Sequence, residues 1–220
     1  MNTNTITKKT ELLIILILFL FSNIFGQFSQ ETGLFPIKNF KPKDYGDASP
    51  QNWDIVQDQR GILYFANDDG VLEYDGIEWR LEPVDNESTV RSLAIDDNGI
   101  IYVGAVDEFG YLSPDSKGDL TYESLSKKLP DSLKSFKDVL YVHCMPDGVY
   151  FQTKKYIFRY YENKFTHWIS KAGFHTSFKI DDRILVNEPS GELLFLYENK
   201  LHKIEGAKEL KKTSIFSVQK

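Results

Sequence analysis

The sequence predicts an all-β fold, a β-propeller of four-stranded antiparallel blades, with about four blades present in an incomplete ring. The stretch GILYFANDDGVLEYDGIEWR at 61–80 contains two strand-like runs separated by small turn residues, and GIIYVGAVDEFGYL at 99–112 nearly repeats it. Aromatic residues make up 14% of the chain, which favours β-structure. The 220 residues show no sustained helical period beyond the signal region; the best candidate, 124–136, is interrupted by Pro130.

The similarity between residues 61–80 and 99–112 belongs to a fourfold internal repeat. Its anchors are Ile62, Ile100, Val149 and Ile184, spaced by 38, 49 and 35 residues. Each copy reads as a strand, a polar turn and two or three further short strands, which is the pattern of propeller blades. The predicted blades are about 51–87, 88–130, 136–170 and 174–210, and the chain ends in what reads as the start of a fifth.

Hairpin signals separate the strands of each repeat. Asp75-Gly76, Asn163-Lys164 and Asn199-Lys200 place Gly or Asn where a two-residue turn needs positive φ. These turns support the antiparallel pairing within each predicted blade.

The N-terminus predicts export. Lys8 and Lys9 precede an apolar run from Leu12 to Phe25 that is followed by Gly26. A basic start, a short apolar core and a small residue are typical of a secretory signal peptide, here residues 1–26, with an uncleaved anchor as the alternative. Residues 27–50 form an N-terminal extension that could close the ring as a strand, and 51–220 form the partial propeller. The expected location is the periplasm.

Composition excludes several function classes. The net charge of −6 argues against a nucleic-acid partner, which needs clustered Lys and Arg. A single cysteine, Cys144, rules out an internal disulfide, and its apolar surroundings favour a buried thiol over a nucleophile. The four His residues lack metal-ligand spacing, so we expect neither a metal site nor a cofactor.

The first two blades also carry a specific resemblance. The stretch 33–80, GLFPIKNFKPKDYGDASPQNWDIVQDQRGILYFANDDGVLEYDGIEWR, and the stretch 90–112, VRSLAIDDNGIIYVGAVDEFGYL, resemble the opening of the two-component regulator propeller family. The later blades are similar only loosely, through their YENK hairpins. The resemblance implies an exported sensor region of the kind found in Bacteroidetes hybrid histidine kinases and LuxR-type regulators, whose output domain is absent from these residues.

Candidate ligand-binding residues lie at the start of each innermost strand, nine residues before each anchor: Trp53, Arg91, Leu140 and His175. An aromatic ring, a cation and an imidazole at equivalent positions could bind a polar ligand such as a glycan by stacking and charge-assisted hydrogen bonds. The alternative is that these are ordinary rim residues. Two positions further inward, Ile55, Leu93 and Val142 are predicted to pack between blades, with Ser177 the exception.

Three more residues complete the predicted site. Gln51 and Asn52 supply amide donors and acceptors beside Trp53, although they could simply satisfy loop backbone. Glu108 follows a second strand and could face the same rim or the opposite one. The acidic pairs at 68–69, 96–97 and 181–182 are adjacent in sequence and fall largely in turns, so they do not predict the two facing carboxylates of a glycosidase.

Three functions are compatible with these observations. The first is a periplasmic ligand-sensing region of a two-component-type regulator, without catalytic activity of its own. The second is a stand-alone exported module that binds a glycan or a protein, and the third is a glycan-processing enzyme. The expected partner is an unidentified small molecule or glycan. Contact with the membrane is expected only through the signal peptide or a downstream helix. Dimerisation of a longer protein is left open.

Overall fold

The computed structural model describes residues 37–206 and residue 215. The predicted signal peptide, residues 1–26, lies outside the described residues. By its internal contacts the chain divides after Asn39, and all the sheets belong to the unit that begins at Phe40.

Sixteen strands form four sheets in the described residues. The first sheet contains β1 (Asn52–Gln57), β2 (Leu63–Asn67), β3 (Gly70–Tyr74) and β4 (Trp79–Glu82). The second contains β5 (Val90–Ile95), β6 (Ile101–Ala105), β7 (Phe109–Pro114) and β8 (Leu120–Ser124). The third contains β9 (Val139–Met145), β10 (Gly148–Thr153), β11 (Tyr156–Tyr161) and β12 (Lys164–Ile169). The fourth contains β13 (Thr176–Ile180), β14 (Arg183–Asn187), β15 (Leu193–Tyr197) and β16 (Lys200–Lys203).

Each sheet is an antiparallel meander whose strands lie in chain order. The first strands of successive sheets contact one another, β1 with β5, β5 with β9 and β9 with β13, so they form the inner edge of the assembly. This is the blade arrangement of a β-propeller, and the predicted fold class is confirmed. In the described part of the chain the four sheets do not close into a ring.

The hairpin turns differ in detail from the prediction. Positive φ falls on Glu162 and Asn163 in the third sheet and on Glu198 and Asn199 in the fourth, one residue earlier than the Asn-Lys pairs predicted from sequence. Two consecutive residues with positive φ are typical of a type I′ turn, whose twist matches the flanking strands. Gly76 has the expected positive φ of 97°.

Two features of the second blade were less visible in the sequence. Its fourth strand, β8, pairs with β7 after the turn at 115–119, where Asp115 Oδ1 accepts hydrogen bonds from the backbone N–H groups of Lys117 and Asp119. The stretch at 124–136, the best helical candidate in a region without a sustained helical period, contains two single turns of 3₁₀ helix, Ser126–Lys128 and Asp131–Leu133. Pro130 separates them, because its ring fixes φ and it has no N–H to donate.

Apolar layers between the sheets hold the fold together. Phe109 is fully buried between the second and third sheets, where its ring stacks on Phe151 with centroids 4.4 Å apart and contacts Phe136 and Phe158. Leu93 and Val142 are buried, as the sequence predicted, and Ser177 is buried with them.

Polar contacts join the inner strands across the blade boundaries. Asp54 Oδ2 accepts a hydrogen bond from the Leu93 N–H at 2.9 Å, and the Ser92 hydroxyl donates to the Val139 carbonyl at 2.9 Å. Between the third and fourth sheets, His143 Nε2 and Ser177 Oγ are 2.7 Å apart.

One residue of the predicted inter-blade core lies elsewhere. Ile55 is 53% exposed, because it points to the face of the first sheet on which no other described sheet packs. That face is covered in part by residues of the N-terminal extension: Phe40, Tyr45 and Ala48 pack against Leu72. Within the described residues 37–51 there is no strand, only the 3₁₀ turn Pro42–Tyr45, and ring closure by the extension stays a prediction.

We expect Phe109→Ala to lower the free energy of unfolding by about 3–5 kcal/mol, since it removes a buried ring and leaves a cavity between two sheets. Urea denaturation followed by circular dichroism measures the change. Ile77→Ala, at a position that is 87% exposed, is the matched control and should change stability by less than about 0.5 kcal/mol. Equal effects of the two substitutions would show that the Phe109 layer does not stabilise the fold.

Acid should destabilise the boundary between the third and fourth sheets. Burial, and to a lesser extent the charge of Lys179, lower the pKa of His143 to about 4. In the unfolded state the imidazole of His143 takes up a proton at about pH 6.5. Between about pH 4 and about pH 6.5 the unfolded state therefore binds more protons than the folded state. The contribution of His143 is therefore complete above about pH 6.5 and is lost as the pH falls towards 4.

Urea denaturation at a series of pH values tests this contribution. The free energy of unfolding of His143→Gln should fall less over that range than that of the wild type, because the amide can still bond to Ser177 without titrating. His167→Gln, in which an exposed imidazole of β12 is replaced, is the control and should follow the wild type. Parallel curves for wild type and His143→Gln would contradict the expectation.

Candidate functional site

The sequence-predicted positions coincide with an irregularity of the inner strands. The strand register shifts at Trp53 in β1, at Arg91 in β5 and at Leu140 in β9, so these three residues occupy equivalent β-bulges. A bulge re-aims the side chain of the extra residue. His175 directly precedes β13, whose pairing with β14 runs without a shift.

Three of the bulge-region side chains interact across blade boundaries. The guanidinium carbon of Arg91 lies 3.9 Å from the centre of the Trp53 ring, and Arg91 Nε donates to Asp138 Oδ1 at 2.9 Å. Trp53 Nε1 donates to Asp68 Oδ1 at 2.8 Å. We call Asp68, Trp53, Arg91 and Asp138 the inner-strand cluster. The cation–π contact and the charge-assisted Arg91–Asp138 bond join the first three blades, and the Trp53–Asp68 bond holds the indole within the first blade.

The loop before β1 is fixed by a buried amide. Asn67 is fully buried, and its Nδ2 donates to the carbonyl oxygens of Ser49 and Gln51 and to Asn52 Oδ1, at 2.7 Å, 3.1 Å and 2.8 Å. Gln51 Nε2 in turn donates to the Asn52 carbonyl. The amides of Gln51 and Asn52 therefore help to hold the loop that presents Trp53, in agreement with the alternative interpretation that they satisfy groups of the loop.

The acidic end of the cluster is positioned by a second loop. Asp107 Oδ1 accepts hydrogen bonds from the backbone N–H groups of Phe136 and Lys137, at 2.8 Å and 2.6 Å. Val106 and Asp138 form an isolated β-bridge beside these bonds. The loop that leads into β9 is thus tied to the second blade, and Asp138 is held within reach of Arg91.

A cleft of about 410 Å³ opens over this cluster. Its lining residues are Trp53, Arg91, Asp138, Leu140, Tyr141 and Lys154. Trp53 remains 49% exposed, and the side chains of Arg91 and Asp138 are 26% and 31% exposed, so a ligand could reach all three. The cleft combines an aromatic surface, two cations and one carboxylate.

Three residues that line the cleft, Asp138, Tyr141 and Lys154, were not predicted from the sequence. Asp138 and Tyr141 flank the bulge position Leu140 closely, and Lys154 stands five residues after the anchor Val149, where the first two repeats have Asn67 and Ala105. Comparison of the repeats at that position could have drawn attention to Lys154. The contact of Asp138 with Arg91 depends on a loop between blades, which the repeat pattern does not predict.

Like Gln51 and Asn52, the predicted site residues His175 and Glu108 are not among those that line the cleft. His175 is exposed but is not among the lining residues; its N–H donates to the Asn187 carbonyl. Glu108 is only 5% exposed, and its Oε1 accepts hydrogen bonds from the hydroxyls of Tyr122, Ser124 and Ser126 and from the Phe109 N–H. Glu108 is not on the rim, because its carboxylate satisfies buried donors inside the second blade, and we leave it out of the candidate site.

The turn carboxylates of Asp58 and Asp96 and the thiol of Cys144 have local explanations. Asp58 Oδ1 and Asp96 Oδ1 each accept two backbone N–H bonds within their turns. Burial raises the pKa of Cys144 to about 12, so the thiol stays protonated at neutral pH and is a poor nucleophile. Residues 37–206 and 215 contain no group of three side chains that could hold a metal ion. Within the same residues, no helix is long and apolar enough to cross a membrane.

Comparison with known proteins agrees with the architecture. No protein-family model matches the chain, and no curated protein matches it. Solved structures do match. The extracellular domain of the hybrid two-component system BT4673 from B. thetaiotaomicron is 16% identical, with 69% of this chain and 21% of that chain covered and a TM-score of 0.54.

Propellers of other kinds are equally similar. Virginiamycin B lyase from Staphylococcus aureus is 14% identical over 73% of this chain and 59% of that chain, with a TM-score of 0.55. The WD40 β-propeller domain of Doa1 is 13% identical over 71% and 55%, with a TM-score of 0.53. The chain thus spans about a fifth to three fifths of the lengths of these structures. At such identities the likeness establishes the β-propeller fold and nothing about ligand or activity.

The contact between Trp53 and Arg91 should be measurable as a coupling energy. In a double-mutant cycle with Trp53→Leu and Arg91→Met, we expect about 0.5–1 kcal/mol of interaction in the free energy of unfolding, as for a partly exposed cation–π pair. Pairing Trp53→Leu with a change of Arg183, which lies over Phe195 in the fourth sheet, gives the additive control. Additivity of both pairs would mean that the Trp53–Arg91 contact contributes nothing.

Proposed function

We propose that this chain is the ligand-binding propeller of an exported sensor that acts in two-component-type signal transduction, and that its ligand binds in the cleft over the inner-strand cluster. The observation that carries the proposal is the cluster itself. A half-exposed Trp ring, a stacked guanidinium and a carboxylate come from three consecutive blades and meet at one accessible cleft. The family-like opening of the sequence and the likeness to the extracellular domain of BT4673 support the sensing role.

The arrangement suits a sensor for a physical reason. A ligand shifts a conformational equilibrium only if it binds one state better than the other. A ligand in this cleft would touch residues of the first, second and third blades, so its affinity depends on how those blades are placed relative to one another. Any change in blade placement would therefore change ligand affinity, and the reverse holds by linkage.

Thermal-shift screening against saccharides and small metabolites tests the site. A ligand at about 100 times its Kd should stabilise the wild type by about 2.7 kcal/mol and raise its Tm. We expect this shift to be lost or strongly reduced in Trp53→Ala and Arg91→Ala. Arg183→Ala, which removes a cation stacked on Phe195 outside the cleft, should respond as the wild type does. Unchanged binding by both cleft variants would refute the site.

A second measurement separates a sensor from a binding module that only captures its ligand. For a sensor, deletion of the gene from the source cell should abolish the transcriptional response to the ligand found in the screen. A stand-alone module predicts weaker capture of the ligand with the transcriptional response retained. The latter result would contradict the sensing role and leave the binding site standing.

A further inference from the structure

The cleft carries more positive than negative charge, although the protein as a whole is acidic. Its ionisable lining consists of Arg91, Lys154 and Asp138, with Tyr141 the remaining polar side chain, whereas the whole chain has a net charge of −6. One of the two cations is matched by Asp138. A concave surface with an excess positive charge attracts anions and concentrates them.

Part of this charge has no partner among the residues that the structure describes. Arg91 binds Asp138 through Nε, and among residues 37–206 and 215 neither of its Nη nitrogens donates a hydrogen bond. Lys154 is exposed, and its Nζ has no hydrogen-bond or ion-pair partner in that part of the chain. Arg80 shows the contrast, since it lies within 4 Å of the carboxylates of Glu73, Asp75 and Glu78.

The unpaired donors have the geometry for a carboxylate. With Nε held by Asp138, the two Nη groups of Arg91 form the remaining fork, which matches the two oxygens of a carboxylate, and an ammonium adds a third donor. Asp138 and Trp53 fix the guanidinium plane, so little side-chain entropy remains to be lost on binding.

The remaining lining residues provide a surface for the cyclic part of a ligand. Leu140 and the Tyr141 ring provide apolar surface, and burial raises the pKa of Tyr141, so its hydroxyl stays protonated and can donate. The volume of about 410 Å³ lies within the range of small-molecule sites. One face of the Trp53 ring is occupied by Arg91, which leaves its edge and its other face for contact.

We infer that the cleft recognises an acidic saccharide, with the carboxylate of a uronic acid bound between Arg91 and Lys154 and its sugar ring against Leu140 and Tyr141. The inference rests on the proposed function and adds the chemical class of the ligand. A neutral saccharide would leave the Lys154 ammonium and the Nη groups of Arg91 without a carboxylate, and an anion without a ring would leave the Leu140 and Tyr141 surface uncovered.

Isothermal titration calorimetry with the purified chain tests the class. The probes are an oligogalacturonide, the neutral oligogalactoside of equal length, a sulfated oligogalactoside and inorganic phosphate. We expect the oligogalacturonide to bind at least about ten-fold more tightly than the neutral oligomer, a difference of one charge-assisted contact. Raising the salt from about 0.05 M to about 0.5 M should narrow that gap, because partly exposed charges are screened.

Matched variants locate the effect. Lys154→Gln should lose about ten-fold in affinity for the oligogalacturonide and leave binding of any neutral saccharide unchanged. Lys155→Gln, next in sequence but placed over the Tyr156 ring and outside the cleft, should bind as the wild type does. Circular dichroism melts of both variants check that the exposed substitutions leave the fold intact.

Each remaining outcome overturns the inference in a different way. Equal binding of acidic and neutral oligomers, or tightest binding of the sulfated oligomer, refutes the carboxylate and leaves the binding site standing if Trp53→Ala still abolishes binding. Tightest binding of inorganic phosphate refutes the saccharide. Failure of every saccharide to bind the wild type refutes the ligand class, while a non-saccharide hit lost in Trp53→Ala would keep the proposed function.

Discussion

The stacking of sheets that are apolar on both faces is the constraint on which the rest of the structure depends. Neighbouring residues of one strand point to opposite faces, and in the third sheet both faces are used. Phe151 and Phe158 pack towards the second sheet, whereas Tyr150 and Ile157, directly beside them in sequence, pack towards the fourth. Such a sheet exposes one apolar face unless it has a neighbour on each side, so the blades can be stable only in series.

Close stacking at the inner edge leaves little room for side chains. Gly104 shows the limit: a Cβ added there would lie 2.5 Å from Val139 Cγ1 and 2.6 Å from Ser92 Oγ. Polar groups at this edge consequently bond across the boundary, as Ser92 does with the Val139 carbonyl. The bulges at Trp53 and Arg91 take these two residues out of the regular ladder, and their side chains meet there.

The sequence predicted the fold well and the site in part, for identifiable reasons. Repeat spacing and strand alternation are local properties, so the blades, the inner position of each first strand and the equivalence of Trp53 and Arg91 could be read from them. Whether Glu108 faces a rim or the interior depends on three hydroxyls up to 18 residues away, which no repeat encodes. The prediction that Ile55 packs between blades was wrong, because the burial of this residue depends on a neighbouring sheet rather than on its own strand.

In the proposed function, the inner-strand cluster is where ligand binding would act on the placement of the blades. Two of its contacts, the Trp53–Arg91 stacking at 3.9 Å and the Arg91–Asp138 hydrogen bond at 2.9 Å, join the first three blades, in addition to the apolar layers and the bonds of Asp54 and Ser92. Apolar packing is non-directional and tolerates small sliding of one sheet on another, whereas a hydrogen bond or a stacked guanidinium is lost within about an ångström. A ligand that completes the coordination of Arg91 would therefore favour the blade arrangement in which the cluster is intact. Under the proposed function, binding energy at the cleft would in this way become a preference for one placement of the blades, which is the physical requirement for a sensor.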